Sequence, residues 1–410
     1  MTSTSDKVTL QVGGRDVDVT HASKLLIPQA KITKLDLVEY YLTLAEGALR
    51  GAGGRPCVLV RYPNGIDGEF FFQKRAPAQR PDWLEVVSIR FPSGRSAEEV
   101  VPRHPADLAW MANLACLELH PHPVRADNLE HPDELRVDLD PVPGVEWPQI
   151  RQVAHVVHEA LAELGLTGWL KTSGSRGLHV VIRIAPQWGF DAVRRAALAL
   201  ARDVERRAPD LATSAWWKEE RRGVFIDYNQ NAKDRTVASA YSVRPKSDGR
   251  VSAPLAWDEL DHCDPADFTL WTMPKRWQAI GDPHAAIDDR CDSLESLLEL
   301  SARHEAEGQG DAPWPPHYRK APGEPKRAPP AKRGSTPLIE IARADREDDA
   351  IAAAERWKAS HPRAASHLEP ADVLVDRMRG TSSLWYRVRI NLTRVPPRFR
   401  PKAPPKPKST

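Results

Sequence analysis

The stretch Glu134-Leu135-Arg136-Val137-Asp138-Leu139-Asp140, closed by Pro141-Val142-Pro143-Gly144, decides how the chain is read. It alternates strictly, with Leu135, Val137 and Leu139 on one side and Arg136, Asp138 and Asp140 on the other. That is the pattern of a strand with one buried face. Residues two apart on such a face stand roughly 6.6 Å apart at Cα, so two carboxylates there can converge on a divalent cation that relieves their repulsion. Taken alone, an Asp-x-Asp reads as a solvated strand edge. Partners elsewhere in the chain are what would make it a site.

The bulk composition sets limits. At 410 residues the chain exceeds one ordinary domain, which predicts a large core with an appendage. With 58 basic and 56 acidic residues, only local charge can speak about partners. Cys57, Cys116, Cys263 and Cys291 are scattered without a Cys-x-x-Cys pair, against a zinc site or disulfide framework and in keeping with a reducing cytoplasm. The first residues lack the apolar segment of a signal peptide, and no apolar run of about 18 residues occurs, so neither secretion nor a membrane partner is expected.

Upstream, Val8 to Val19 alternates around Gly13-Gly14 as a β-hairpin. Thr33 is placed to cap a helix running through Leu37, Tyr40, Tyr41 and Leu44, and Lys24 and Lys34 near its start could form an anion pocket with free backbone N–H groups. Pro56 to Tyr62 and Glu69 to Lys74 read as strands around a Pro-Asn-Gly turn cluster. Three consecutive phenylalanines, Phe70 to Phe72, must put a ring on each face, which offers either a doubly buried strand or a base-stacking platform. Ala106 to His120 reads as a helix or a helix–strand passage. His120-Pro121-His122-Pro123 is an unpromising zinc motif, with two prolines and no acid or thiol nearby, and His120 is better read as a hydrogen-bonding residue lining a site.

Downstream, Trp147 to Leu166 and Phe190 to Arg207 are amphipathic helices. Between them, two strands flank Ser173-Gly174-Ser175-Arg176-Gly177 and continue through His179, which gives the parts of a phosphate nest: φ > 0 positions, N–H groups and a cation. Val224-Phe225-Ile226-Asp227-Tyr228 buries a third carboxylate that calls for a partner or a metal. Arg235 and Arg244 follow as fork-shaped phosphate clamps.

Together these motifs resemble archaeo-eukaryotic-type primase-polymerases, above all the polymerase domain of bacterial ligase D, which acts in non-homologous end joining. The likeness includes His21-x-x-Lys24-Leu-Leu-Ile-Pro, Asn64-Gly-Ile-Asp-Gly, Asn113-Leu-x-Cys-x-Glu-x-His120 and Val251-Ser-Ala-Pro254, and runs from about residue 8 to residue 300. It implies an α+β primase-like core, with antiparallel and mixed sheets, flanking helices and an RRM-like active-site sheet. It also implies roles. Asp138, Asp140 and Asp227 would hold two cations, Mn²⁺ or Mg²⁺. His120, Ser173, Arg176, His179, Arg235 and Arg244 would hold a nucleoside triphosphate. Lys24 and Lys34 would grip the 5′-phosphate of gapped or broken DNA, and Phe71 and Phe72 would stack on template bases. The implied enzyme is a nucleoid-associated cytoplasmic polymerase, taken as a monomer, that adds nucleotides, ribonucleotides among them, to a primer 3′-OH, with a ligase or other end-joining proteins as further partners.

The organisation expected is a catalytic domain over residues 1–300, a Pro-rich basic linker over 301–335, a small module over 336–395 and a basic tail over 396–410. No ligase motif follows residue 300, so a stand-alone polymerase is expected. The tail from Arg394 holds six basic residues, six prolines and no acid, a composition that binds phosphate backbones with strong salt dependence. Two other function classes compete: a non-catalytic scaffold for DNA ends, and a two-metal nuclease, which would have no use for a triphosphate pocket.

Overall fold

The computed structural model describes residues 6–315, 318, 338–379 and 384–401. The segment 319–335 of the expected linker and the tail beyond residue 401 lie outside them.

The main core is a two-sheet body. A six-stranded mixed sheet has the order Ala212–Thr213, Val224–Ile226, Glu134–Pro141, Leu178–Arg183, Trp169–Thr172, Pro254–Leu255. The quoted strand sits third, antiparallel to both neighbours, with Asp138 opposite His179 and Asp140 opposite Phe225. A second, antiparallel sheet joins Phe71–Gln73, Cys57–Arg61, Ser96–Val100 and Val86–Arg90, and Cys116–Pro121 also pairs with Cys57–Arg61. The helices Trp147–Glu163 and Phe190–Arg207 bury their apolar stripes (Ile150, Val153, Val157 and Leu161; Val193, Ala197, Leu200 and Val204) against the first sheet.

Local signals act as the sequence suggests. Thr33 caps the helix Lys34–Thr43 through a reciprocal box with Asp36. Gly13 and Gly14, at φ 53° and 81°, turn the hairpin from Lys7–Val12 into Arg15–Thr20. Residues 106–120 divide into the helix Pro105–Asn113 and the strand Cys116–Pro121.

Two expectations change. The polar face of the quoted strand is not uniformly solvated, because Glu134 and Arg136 are buried. Glu134 accepts from Arg136 (2.8 Å), Arg55 (3.2 Å) and Arg183, a network that lets charge enter the core. The polar alternation therefore opens to solvent only at its carboxyl end. Secondly, the boundary expected at residue 300 falls inside the helix Glu295–Ala306, and the core continues to 315. Fully buried Arg194 fastens that strap by hydrogen bonds to Asp311 (2.7 Å), the Ala312 carbonyl (2.7 Å) and the Pro313 carbonyl (3.1 Å).

The C-terminal module has its own core, built on Ile339, Ala350, Val373, Val388 and Ile390. Its antiparallel sheet has the order Leu338–Ala344, Leu384–Asn391, Val373–Arg379, and the helix Glu347–Ser360 packs on it. Buried Val395 and the turn Pro397–Phe399 carry the module past the expected end at 395. No helix among the described residues is long and apolar enough to cross a membrane.

Candidate active site

Strand pairing brings the three carboxylates to neighbouring positions. Asp227 follows directly on Val224–Ile226, and its amide donates to the Asp138 carbonyl at 2.9 Å. Burial and then mutual repulsion push the Asp227 carboxyl up to about 6, and burial also raises Asp138 and Asp140. Repulsion from Asp138 and from Glu347 of the C-terminal module adds to the rise at Asp140. Raised carboxyls held together by the fold are the condition that a divalent cation relieves, and an all-oxygen donor set suits Mg²⁺ or Mn²⁺. The residues fit the group. The side chains are not gathered into a closed cluster, however, and no such cluster occurs among the described residues. Asp138 faces His179 Nε2 at 3.3 Å, while Asp227 accepts from the Asn229 amide and from Gln230 Nε2, both at 3.0 Å.

The Ser173–Gly177 loop lies against this strand. Gly174 takes φ 66°, and a Cβ there would stand 2.5 Å from Arg244 Cγ and 2.8 Å from the Ser252 amide. At Gly177 a Cβ would strike the Leu139 carbonyl, so the loop sits directly on the Asp-x-Asp strand. Both positions demand glycine. Ser173 differs from the simplest expectation. Its hydroxyl accepts from the Ser175 and Gly177 amides, at 3.1 Å each, so two nest N–H groups are satisfied within the loop. Arg176 remains at the rim, paired with Glu347 at 3.3 Å.

Behind the loop lies a feature that the sequence reading did not single out. Lys171, 2% exposed, donates to the Ala238 carbonyl (2.8 Å) and to Ser252 Oγ (2.7 Å), and shares a hydrogen bond with His179 Nδ1 (2.7 Å). Ser252 in turn donates to the Thr172 carbonyl, so it must accept from Lys171. Three partners match the three hydrogens of an ammonium group, while burial, and then Arg244, holds Lys171 well below its usual range. Burial, with Lys171 and Arg244 close by, holds the His179 imidazolium well below its usual range. While Lys171 donates to Nδ1, the neutral ring carries its proton on Nε2, turned towards Asp138 and the cleft. Lys171→Met is expected to free that tautomer. NMR of His179 ring nitrogens checks this directly, and an unchanged Nε2–H tautomer in the variant would refute it.

The other pole is organised by Glu118, the acid of the Asn113-Leu-x-Cys-x-Glu-x-His120 motif, to which the sequence reading gave no role. It accepts from Tyr62 Oη (2.8 Å), pairs with His120 Nε2 (2.8 Å) and pairs with Arg244 (3.2 Å). Although burial opposes it, Arg244 and His120 hold its carboxyl far below the usual range. The absence of acids near the two histidines, expected from sequence, is thus corrected: His122 also has one, Glu99, at 2.9 Å. Phe72 meets the His120 ring edge-on at 6.4 Å, and Phe70 stacks on Tyr62 at 5.1 Å.

Phe71 points the other way. It is 40% exposed, with the Arg61 guanidinium 5.4 Å from its ring. Arg61 and Lys24 both lower the Lys34 ammonium, after burial, which places the two lysines and Arg61 in one electropositive corner. Lys34 is anchored to the Thr20 carbonyl at 2.7 Å and Lys24 to Asn64 at 3.3 Å. The phenylalanine pair therefore divides, with Phe72 in the cleft and Phe71 by the lysines. Arg235 stands near enough to Asp227 to counter its rise, as does Arg221, which the sequence reading passed over. Its clue was the pair Arg221-Arg222 just ahead of the third carboxylate.

The family model for the LigD primase-polymerase domain matches residues 33–284. The chain belongs to that family. It is 34% identical over 293 residues to the multifunctional non-homologous end joining protein LigD of Mycolicibacterium smegmatis, covering 71% of this chain and 38% of that protein. The bifunctional LigD of Bacillus subtilis is 30% identical over 267 residues, covering 64% of this chain and 43% of the relative. The chain thus spans less than half the length of these relatives. The solved polymerase domain of Mycobacterium tuberculosis ligase D in complex with DNA superposes with a TM-score of 0.63 at 33% identity, over 67% of this chain and 99% of that one. The match confirms the primase-like α+β fold.

Proposed function

We propose that this protein is a DNA-dependent nucleotidyltransferase that adds nucleotides to a primer 3′-OH at short gaps or broken ends in DNA repair. The observation that carries the reading is the juxtaposition of Asp138 and Asp140 with the Ser173–His179 loop on paired strands, with Asp227 adjoining. Three carboxylates adjoin a loop of candidate phosphate donors, for which a nuclease would have no use.

Asp138, Asp140 and Asp227 would hold two Mn²⁺ or Mg²⁺ ions, which when bound supply Lewis acidity at the attacking and leaving oxygens. The chain's own residues do the rest. Arg176 and Arg244 neutralise the polyphosphate, Arg244 being aimed by Glu118. His179 offers its Nε2 proton to a phosphate oxygen as its pairing with Asp138 is exchanged. Ser173 keeps the loop in shape, His120 and Arg235 border the pocket, and Phe72 offers a stacking face. Ribo- and deoxynucleotides are both candidate substrates. Primer extension on a gapped duplex with Mn²⁺, comparing the two sugars, tests the reading. No incorporation of either by the wild-type chain would refute it.

Lys24 and Lys34 would bind the 5′-phosphate across the gap, beside Phe71 on the template. Lys34 is buried against a carbonyl and poorly hydrated, so a phosphate gains more from it than from a surface lysine. Lys24→Glu with Lys34→Glu is expected to weaken binding to a 5′-phosphorylated gap about ten- to a hundred-fold, and to an unphosphorylated gap several-fold less. Equal weakening of both duplexes would remove the specific role.

A further inference from the structure

The C-terminal module does not stand apart from the cleft. It forms one wall of a space of about 830 Å³ whose other wall carries Tyr62, Phe72, His120 and Arg244. Space of that size is within the usual range for a ligand pocket. What crosses it is ordered by charge. Glu347 pairs with Arg176 at 3.3 Å, Asp348 pairs with Lys246 at 2.8 Å, and Asp376 approaches Lys218 at 4.0 Å, where the same lysine donates to the Val375 carbonyl at 3.0 Å. In each pair the cation belongs to the cleft and the acid to the module. Glu347 also lines one smaller recess together with Asp140, Arg176 and Lys218.

Acids in the first turn of Glu347–Ser360 have a local use, since they complement the helix dipole. That use does not select their partners. Glu347 and Asp348 reach Arg176 and Lys246, which are 171 and 102 residues away, and one of these cations lies on the very loop expected to receive phosphate. Arg346 turns from the same helix start to Asp67, at 2.9 Å, and ties it to the turn below the phenylalanine strand. A carboxylate beside Arg176 and near Asp140 stands where a polyphosphate oxygen would stand.

We propose that the module is an intramolecular competitor for the cationic side of the cleft: its Glu347 and Asp348 carboxylates occupy the positions of anionic oxygens of a nucleoside triphosphate or inorganic polyphosphate, which must displace them to bind. This rests on the nucleotidyltransferase reading given above. The pairs are partly exposed, so each holds the module only lightly, and a charged ligand in excess can exchange with them.

The test uses the full chain carrying Glu347→Gln, Asp348→Asn and both together, with folding checked by circular dichroism. Binding of inorganic tripolyphosphate and of a Mn²⁺-loaded ribonucleoside triphosphate is measured without DNA, and KM and kcat on a gapped duplex. The double variant is expected to bind both probes about three- to ten-fold more tightly and to show a lower KM at unchanged kcat. Unchanged affinity would overturn the proposal. So would weaker affinity, since it would make Glu347 a substrate-supporting group. The two readings fail separately. A wild-type chain that incorporates nucleotides while its variants bind no better loses only the competitor. A wild-type chain that incorporates none loses the polymerase reading, and the tripolyphosphate arm still decides the competitor.

Discussion

Asp227→Asn is expected to reduce nucleotide incorporation by about 10³-fold or more while leaving the fold intact. Loss of a single oriented oxyanion donor costs roughly 10²–10³ in other enzymes, and this residue would hold a cation as well as stabilise developing charge. Asparagine keeps the shape and can still accept from the Asn229 amide, so the change removes charge more than structure. Asp138→Asn and Asp140→Asn are expected to act alike, and non-additively, because the three would work as one unit. Single-turnover primer extension on a gapped duplex measures the loss. Incorporation within ten-fold of wild type in the Asp227→Asn chain would sink the assignment.

The pH dependence gives a second readout of the same carboxylates. Asp227 is pushed up to about 6, chiefly by burial and then by Asp138. Its folded pKa lies above the unfolded one, so the folded state binds more protons through the interval between them. Without a divalent cation, stability is then highest below an ordinary aspartate pKa and falls as pH rises through about 6. A cation binds the ionised form and removes that penalty. Mn²⁺ should therefore raise the melting temperature more at pH 8 than at pH 5, and incorporation should rise with pH before levelling. In the Asp227→Asn chain the Mn²⁺-dependent rise should shrink. A stabilisation independent of pH would separate the metal from these groups.

The neighbouring carboxylates and the glycine loop could be read from sequence because their chemistry forces local patterns: alternation on a strand, Gly beside Ser, a lone acid in an apolar run. Three features could not. Lys171 sits in a strand that looks like core, Glu118 in a motif that by itself gives it no role, and their meaning comes only from partners brought in across the sheets. The division of Phe71 from Phe72 follows from alternation, yet which ring meets His120 depends on the register of both their strands on the shared neighbour Cys57–Arg61. The position of the C-terminal module was beyond reach for another reason. Its acids look like ordinary helix-start acids, and nothing local marks Arg176 and Lys246 as their partners. Charge complementarity over such sequence separations becomes visible only in three dimensions.

The greatest stability effect is expected at the other end of the quoted strand. Glu134 is 5% exposed and meets Arg55, Arg136 and Arg183, of which Arg55 is fully buried. Glu134→Ala would leave these guanidinium groups facing one another without their common counter-charge, with Asp133 covering only part of it through Arg55 at 2.5 Å. Breaking a buried ion network from one side costs about 3–5 kcal/mol, a large part of the stability of an ordinary domain. Glu134→Gln keeps the acceptor oxygen but not the charge and should fall between the two. Despite burial, the arginines hold the Glu134 carboxyl far below its usual range. Its folded pKa is depressed, so its contribution is complete above the unfolded value near 4.5 and is lost as pH falls below it. Urea denaturation at pH 7 and pH 4 checks both parts. The Glu134→Ala chain should be destabilised strongly at pH 7, and its deficit against wild type should narrow at pH 4, because wild type has by then begun to lose what the variant never had. The strand that presents Asp138 and Asp140 is anchored at this network, so loss of the anchor should also loosen the carboxylates and lower incorporation under conditions in which the variant is still folded.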